Sequence, residues 1–240
     1  INEGGKKYHT EKNEAIFKTI GEIDAEYSYI SSYSPFIEYG FDKNDFSERS
    51  SSVLNKLASN KYIKKIEVLE SDCVVEDMLA GAAASTGAWD DFYNGTVTGA
   101  GVKVGLLETG IIDIDHENIE GSNYTIRPYL LNSVSDHATQ MASLIAGNYG
   151  LASDAHIYNA KVAGTLNNEL DWLVDKNVDL VNMSFGTGYT GVYNNDSAII
   201  DYYAKAYCLL FIASAGNDAE EGLVGNPGLG YNVLTVGAVN

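Results

Sequence analysis

Short apolar runs alternate with helical apolar spacings along the second half of the chain. The runs are typical of buried strands, and the predicted strands cover residues 102–107, 156–162, 178–185, 209–213 and 233–236. The predicted helices between them cover residues 137–146, 170–176 and 197–207. Such alternation predicts an α/β fold, with a mostly parallel sheet and helices on both of its faces.

The first part of the chain follows a different pattern. Apolar and polar positions predict strands over residues 15–20, 36–41 and 62–69, and a helix over 46–59. These elements make a small α+β unit, and the small-residue run AGAAASTG that follows is typical of a linker. The predicted organisation is an α+β domain over 1–72, a linker over 73–88 and an α/β domain over 89–240.

Net charge, the length of apolar runs and the number of cysteines exclude some classes of partner and of fold. The 240 residues carry a formal net charge of −18, and a strongly acidic surface argues against nucleic acid and anionic membranes. No apolar run reaches the roughly 18 residues that a membrane helix requires. Cys73 and Cys208 are the only cysteines, which rules out a scaffold built on disulfides.

Polar side chains follow the predicted strands of the second half. Glu108 comes directly after the first of these strands, His137 begins the first helix, and Asn217 follows the strand over 209–213. Functional groups of parallel sheets gather at the carboxyl ends of the strands. A carboxylate, an imidazole and an amide donor are the orienting group, the base and the oxyanion donor of acyl-transfer chemistry.

The order of these motifs resembles that of the subtilisin-like serine proteases, the peptidase S8 family. That family has an Asp-Ser/Thr-Gly turn, a His-Gly-Thr-His-Val-Ala-Gly helix, an Asn-Met-Ser-Leu-Gly strand and an Ala-Gly-Asn segment. The corresponding runs here are ETG (108–110), HATQMAS (137–143), NMSFG (182–186) and AGN (215–217). The resemblance covers about residues 86–240, and residues 12–72 resemble the small inhibitory propeptide of the family.

The resemblance implies a serine endopeptidase precursor that acts on peptides or proteins without a cofactor. His137 would be the general base, Glu108 would orient it, and Asn217 would donate to the oxyanion. Ser184, Phe185 and Gly186 would form a substrate-binding edge that pairs with an extended peptide. The propeptide would inhibit the enzyme, with its tail lying across the cleft and residues 73–88 as the processing junction. A secreted or cell-surface location is expected.

The sequence departs from the family pattern in three ways. Glu108 stands where the family has Asp. In the His motif, Ala138 and Ser143 replace the two glycines, and Gln140 replaces the second His. No Gly-Thr-Ser, the family's nucleophile turn, occurs before the chain ends at Asn240. We therefore expect the serine to come from sequence beyond Asn240 or from a separate fragment. Because the nucleophile helix of the family would cover part of the sheet, we also expect apolar surface of the sheet to be exposed in its absence. The alternative is a catalytically inactive pseudoprotease that acts as a binding or regulatory module.

Each candidate residue also has a purely structural interpretation. Glu108 would then be a solvated turn carboxylate, and His137 a helix-start histidine capped by Asp136. Asn217 would be a turn amide, and residues 184–186 an ordinary strand end. The acidic cluster around His116 suggests Ca²⁺, but Asn118 replaces the Asp that the family uses there, so no metal site is expected. Gly99 and Gly101 precede a strand instead of following one, which argues against a dinucleotide site.

Overall fold

The computed structural model describes residues 97–237 except 129–132, 149, 163–165, 188–190 and 218–222. Before residue 97 it describes residues 12, 14, 16, 27–30, 34, 37–40, 52, 54, 55, 57, 58, 63, 65, 66, 74 and 75. The predicted linker and its boundaries lie largely outside these residues, so the division into domains stays a prediction.

The strands and helices follow one another in the order expected of an α/β chain. The strands are β1 (Tyr27–Ile30), β2 (Ile37–Gly40), β3 (Val74–Val75), β4 (Lys103–Glu108), β5 (Asn123–Ile126), β6 (His156–Lys161), β7 (Leu180–Met183), β8 (Phe185–Gly186), β9 (Leu210–Ser214) and β10 (Val233–Val236). The helices with defined bounds are α1 (Asp136–Ala146), α2 (Leu166–Asp175) and α3 (Asn195–Tyr207).

Six of the strands form the main sheet, in the order β10-β9-β7-β4-β6-β5. Every neighbouring pair in this sheet is parallel. Helix α1 packs on one face against β4 and β6, while α2 packs against β6 and α3 against β9 and β10 on the other face. The predicted parallel α/β architecture is confirmed, and β4, with its apolar side chains buried towards both faces, lies inside the sheet.

The cores on the two faces consist of alternate residues of the same strands. Val104 and Leu106 of β4 pack towards α1 with Ile157 of β6, whereas Leu107 of β4 packs with the residues of α2 and α3. A strand that is buried on both faces reads as a continuous apolar run, which is why β4 was recognisable from the sequence. This double burial also fixes which way the residue at the end of β4 points.

Helix α1 begins at a well-formed cap. The side chain of Ser135 accepts a hydrogen bond from the backbone N–H of Ala138, and Asp136 follows in the first turn, where a negative charge is favourable. His137 is therefore the second residue of the helix, close to the edge of the sheet at which β4 ends. The cap is Ser135 and not Asp136, the residue that the structural interpretation of His137 had assigned to that role.

Four predictions in the first part of the chain meet described residues. Ile16, inside the predicted strand over 15–20, is helical, and residues 63, 65 and 66 of the predicted strand over 62–69 have no regular structure. The described residues between 52 and 58 are helical as predicted, and β2 lies within the predicted strand over 36–41. Strand β1, which pairs antiparallel with β2, was not predicted.

The hairpin of β1 and β2 approaches the α/β part of the chain. Between these strands, the Ser34 hydroxyl donates to Asn167 Oδ1 of α2 at 2.7 Å, and both residues are fully buried. None of the helices in the described part of the chain combines the length and the hydropathy that a membrane span needs.

One region of the sheet is uncovered on the face that carries α1. The register aligns Leu180 of β7 with Leu210 of β9, and Ile212 of β9 with Leu234 of β10. Leu210 is 46% exposed and Leu234 is 54% exposed. Within the described residues, α1 covers β4 and β6 but not β9 and β10, so apolar side chains lie open there. We call Leu210, Ile212, Leu234 and Val236 the open face.

Candidate active site

The carboxyl group at the end of β4 meets the imidazole at the start of α1. Glu108 alternates with Val104 and Leu106, so its side chain points to the α1 face and is completely buried. Its Oε2 atom lies 2.9 Å from Nδ1 of His137, whose side chain is 11% exposed. The solvated-turn interpretation of Glu108 does not hold, because the carboxyl is inside the protein and its partner is an ionisable ring.

The loop after Glu108 is tied to the start of α1. The Ile111 N–H donates to the Ser133 carbonyl, and the Ser135 N–H donates back to the Ile111 carbonyl, each at 2.9 Å. One turn into the helix, Thr139 Oγ1 accepts from the Asp113 N–H at 2.9 Å. These bonds hold the strand end that carries Glu108 and the helix end that carries His137 at one fixed separation.

Gly110 is the residue in this loop with no room for a side chain. A Cβ atom placed on it would lie 2.4 Å from Cβ of Ser135 and 2.9 Å from the Ser133 carbonyl oxygen. Such distances are far below van der Waals contact, so the loop approaches α1 this closely only because residue 110 is glycine. The glycine of the ETG motif therefore has a steric role in the site.

Burial raises the pKa of the Glu108 carboxyl above its ordinary value of 4.5, since desolvation penalises the charged form. The neighbouring His137 opposes this by hydrogen bonding and by charge, and the backbone N–H groups of Thr109 and Ser184 oppose it to a smaller degree. Among the described residues, Oε1 of Glu108 lacks a partner within hydrogen-bond distance. The carboxyl thus depends mainly on His137 for its stabilisation as an anion.

The predicted substrate edge is split between two elements. The predicted strand over 178–185 breaks at Ser184, where β7 ends and β8 begins. The register that aligns Leu107 with Met183 places Ser184 beside Glu108, and Asn182 Nδ2 donates to Ser184 Oγ at 3.0 Å. Ser184 and Gly186 are buried, and Phe185 is buried in the core with α2 and α3, so β8 offers its backbone to a partner strand.

A strand from the first part of the chain is paired with β8. Strand β3 runs antiparallel to it, with Val74 opposite Gly186 and Val75 opposite Phe185. The residues involved lie at the start of the predicted linker over 73–88. The edge predicted to bind an extended peptide therefore already holds a strand of this same chain.

Asn217 lies further from the other candidate residues. It follows β9 by three residues and its side chain is exposed. Because β9 and β4 are parallel, both end at the same edge of the sheet, with β7 between them. The structure thus brings Glu108 and His137 into contact, places Ser184 beside them, and leaves Asn217 at the same edge two strands away.

Sequence reasoning missed two polar residues near the pair, Thr139 and Asn159. Asn159 is a buried polar residue in an otherwise apolar part of β6, and that contrast with its neighbours was the available signal. For metals, the described part of the chain contains no cluster of three or more His, Cys, Asp or Glu side chains arranged to hold an ion.

Comparisons with known proteins agree with this architecture. A family model described as the subtilase family, Peptidase_S8, matches residues 99–240. The chain is 31% identical over 163 residues to the minor extracellular protease Epr of Bacillus subtilis (strain 168), covering 60% of this chain and 24% of that protein. It is 29% identical over 161 residues to subtilisin DY of Bacillus licheniformis, covering 59% of this chain and 58% of that protein.

Solved structures show the same fold. The maturation protease PagA of prenylagaramide superposes with a TM-score of 0.54 at 24% identity, covering 63% of this chain and 59% of that chain. At this identity the likeness concerns the fold alone. The chain spans less than two thirds of the length of each of these relatives. Since the family model matches more than half of its residues, and the motifs stand in the family's order, the chain belongs to the subtilase family of subtilisin-like serine proteases.

Proposed function

We propose that this chain is part of a subtilisin-like serine endopeptidase precursor whose nucleophilic serine is supplied from outside these 240 residues. The observation that carries the proposal is the buried contact of 2.9 Å between Glu108 Oε2 and His137 Nδ1 at the carboxyl edge of a parallel sheet. Glu108 is the orienting carboxylate, His137 is the general base, and Asn217 is the oxyanion donor. The catalytic roles of all three residues are part of the proposal.

The chemistry follows from this contact. With Nδ1–H donating to Glu108, the imidazole presents Nε2 as the basic nitrogen, and Nε2 takes the proton of the serine hydroxyl as its oxygen attacks the scissile carbonyl. The tetrahedral intermediate carries its negative charge on the former carbonyl oxygen, to which the Asn217 side-chain NH₂ donates. The imidazolium returns its proton to the leaving amine as the C–N bond breaks, and water then hydrolyses the acyl-enzyme.

The substrate is a peptide or protein that pairs with β8 as an added strand. Backbone hydrogen bonds to Phe185 and Gly186, together with Ser184, hold it beside the catalytic pair. The β3–β8 pairing supports this proposal, because it demonstrates that this edge accepts an antiparallel strand. We further propose that residues 1–72 are the inhibitory propeptide and that processing occurs within 73–88.

Two features support an external serine. The 240 residues contain no Gly-Thr-Ser, and the open face offers apolar surface near the end of the sheet that a further polypeptide segment would bury. A secreted or cell-surface location is proposed from the relatives, since one of them is named as an extracellular protease.

An activity-based probe tests the proposal. Native material from the source is treated with a fluorophosphonate, which labels an activated serine, and the labelled polypeptide is identified by mass spectrometry. We expect labelling on sequence outside these 240 residues, whether joined to this chain or co-purifying with it, and loss of labelling in a His137→Ala variant. Labelling that persists in His137→Ala contradicts the assigned base.

A second candidate function, a pseudoprotease that binds peptides without cleaving them, is favoured by the substitutions at Glu108, Ala138, Gln140 and Ser143. The same experiment separates the two. Absence of labelling in native material, together with retained binding of an extended peptide, supports the binding module and rejects the protease.

A further inference from the structure

We propose that Asn159 is a positioning residue that sets the distance between Glu108 and His137. The catalytic meaning of this inference rests on the proposed function, but the geometric claim is independent of it. The side-chain hydrogen bonds of Asn159 go to Leu106 and Ile112 and not to either member of the pair, so it acts through the loop that follows Glu108.

Asn159 lies on β6 directly beside the end of β4. The register pairs it with Leu106, two residues before Glu108. Its side chain is completely buried; Nδ2 donates to the Leu106 carbonyl at 3.2 Å, and Oδ1 accepts from the Ile112 N–H at 3.0 Å. One short amide therefore links the strand before Glu108 to the loop after it.

The loop is held by three successive N–H groups with three different acceptors. The N–H of residue 111 donates to the Ser133 carbonyl, that of residue 112 to Asn159 Oδ1, and that of residue 113 to Thr139 Oγ1. Thr139 belongs to α1 and Ser133 to the segment that leads into it, whereas Asn159 belongs to the sheet. The bond to Asn159 therefore ties the helix-bound loop back to the strands.

The surroundings give this side chain no other task. Leu106, Ile112 and Ile157 are fully buried apolar neighbours in the core that α1 covers. A buried amide in such a place is stable only if both its donor and its acceptor are satisfied, and here backbone groups on either side of Glu108 satisfy them. No apolar residue of the same size can replace both bonds.

The test measures the imidazole proton shared with Glu108. In the 240-residue chain labelled with ¹⁵N-histidine, the Nδ1–H resonance of His137 is recorded by NMR, together with its exchange with water. Asn159→Leu keeps the branched arrangement of side-chain heavy atoms and removes both hydrogen bonds, so we expect this proton to exchange about tenfold faster or to disappear from the spectrum. Asn167→Leu is the matched control, because Asn167 is also fully buried and hydrogen-bonded but lies on α2.

The control separates positioning from stability. If Asn159→Leu folds and leaves the resonance and its exchange unchanged, the proposal is overturned. It is also overturned if Asn167→Leu, compared at equal measured stability, changes the His137 proton by the same amount. If Asn159→Leu does not fold, Asn159→Ala replaces it, and if neither folds, Asn159 is a determinant of folding and the positioning role is rejected.

A kinetic arm connects the geometry to catalysis. In the serine-containing protein, Asn159→Leu is expected to lower kcat about tenfold with KM unchanged, since substrate binding at β8 is not altered. A rise in KM at constant kcat contradicts the proposal. If the wild-type protein cleaves no peptide, the proposed function fails, while the NMR comparison still decides the role of Asn159.

Discussion

Glu108 is a carboxyl that is completely buried and whose Oε2 has His137 as its partner, while Oε1 has none within the described residues. Glutamate is one methylene longer than the aspartate that the family has at this position, yet the contact with the imidazole is formed. The substitution therefore keeps the pair together. Burial of this carboxyl has a cost in desolvation, which raises its pKa.

This raised pKa predicts a pH-dependent loss of stability. The folded protein holds the Glu108 proton more tightly than the unfolded chain does. The contribution of this proton to the free energy of unfolding is therefore fully present below the ordinary pKa of 4.5, and it is lost as the pH rises through the pKa of Glu108 in the folded protein. Glu108→Gln removes the titration. We expect the free energy of unfolding of Glu108→Gln, relative to wild type, to increase over this pH range, as measured by urea denaturation. A constant difference between the two proteins would contradict the assignment.

Gly110 predicts a steric effect in the same loop. Gly110→Ala places a methyl group against Ser135, and the enforced shift should cost about 1–3 kcal/mol in the free energy of unfolding. It should also lengthen the Glu108–His137 contact, visible as a change in the His137 Nδ1–H resonance. Gly101→Ala is the control, since nothing lies within 4 Å of its added Cβ and only backbone strain at its φ of +86° remains. Equal effects on the resonance would refute the steric argument.

At the scale of elements, strands β4, β6, β7, β9 and β10 were recognisable because each carries apolar residues within a short stretch. Helix α2 begins four residues before its predicted start, since Asn167 and Glu169 are polar but buried: the first binds Ser34, and the second forms an ion pair with Arg127 at 2.6 Å. Strand β5 was missed because it is a short edge strand without buried positions. Local pattern cannot reveal burial that depends on partners remote in sequence.

The candidate site was also predictable only in part. The proximity of Glu108 and His137 follows from the rule that parallel strands end at one edge, together with the motif order. The contributions of Thr139 and Asn159 do not follow, because each depends on which backbone N–H of the loop it meets. The break between β7 and β8 also escaped prediction, since the pairing with β3 that accompanies it joins residues more than 100 positions apart.

The β3–β8 pairing carries a prediction at this scale. Proline has no N–H to donate, so Val74→Pro and Val75→Pro should differ. In a two-residue antiparallel ladder, the substitution at the residue whose N–H faces β8 weakens the pairing more. We expect that variant to bind a fluorescent peptide of residues 68–78 more tightly than wild type, measured by anisotropy. If both variants and the wild type bind the peptide equally, β3 does not occupy the binding edge.

At the scale of the whole molecule, a net charge of −18 coexists with the open face, an apolar region of the sheet that none of the described helices covers. Repulsion between acidic surfaces opposes self-association, whereas the open face promotes it. The isolated chain should therefore associate increasingly as salt screens the charges. Leu234→Lys, at a position that is 54% exposed, should restore the 25.9 kDa monomer without loss of stability. Sedimentation at low and high salt measures this, and a wild type that is monomeric at both would contradict it.

The strand that lies along β8 belongs to the same covalent chain, and in the proposed function this tether would affect how strongly the edge of β8 binds a free peptide. A strand that is tethered to its binding edge meets that edge at an effective concentration, which is on the order of millimolar for a short tether. A free peptide must compete with the tethered strand for β8, so its apparent dissociation constant in the uncut chain exceeds its intrinsic dissociation constant. Severing the connection turns the occupant into a diffusible ligand, and occupancy then depends on dilution. We therefore expect a single backbone cut between β3 and β4 to make the edge of β8 more available to a free peptide.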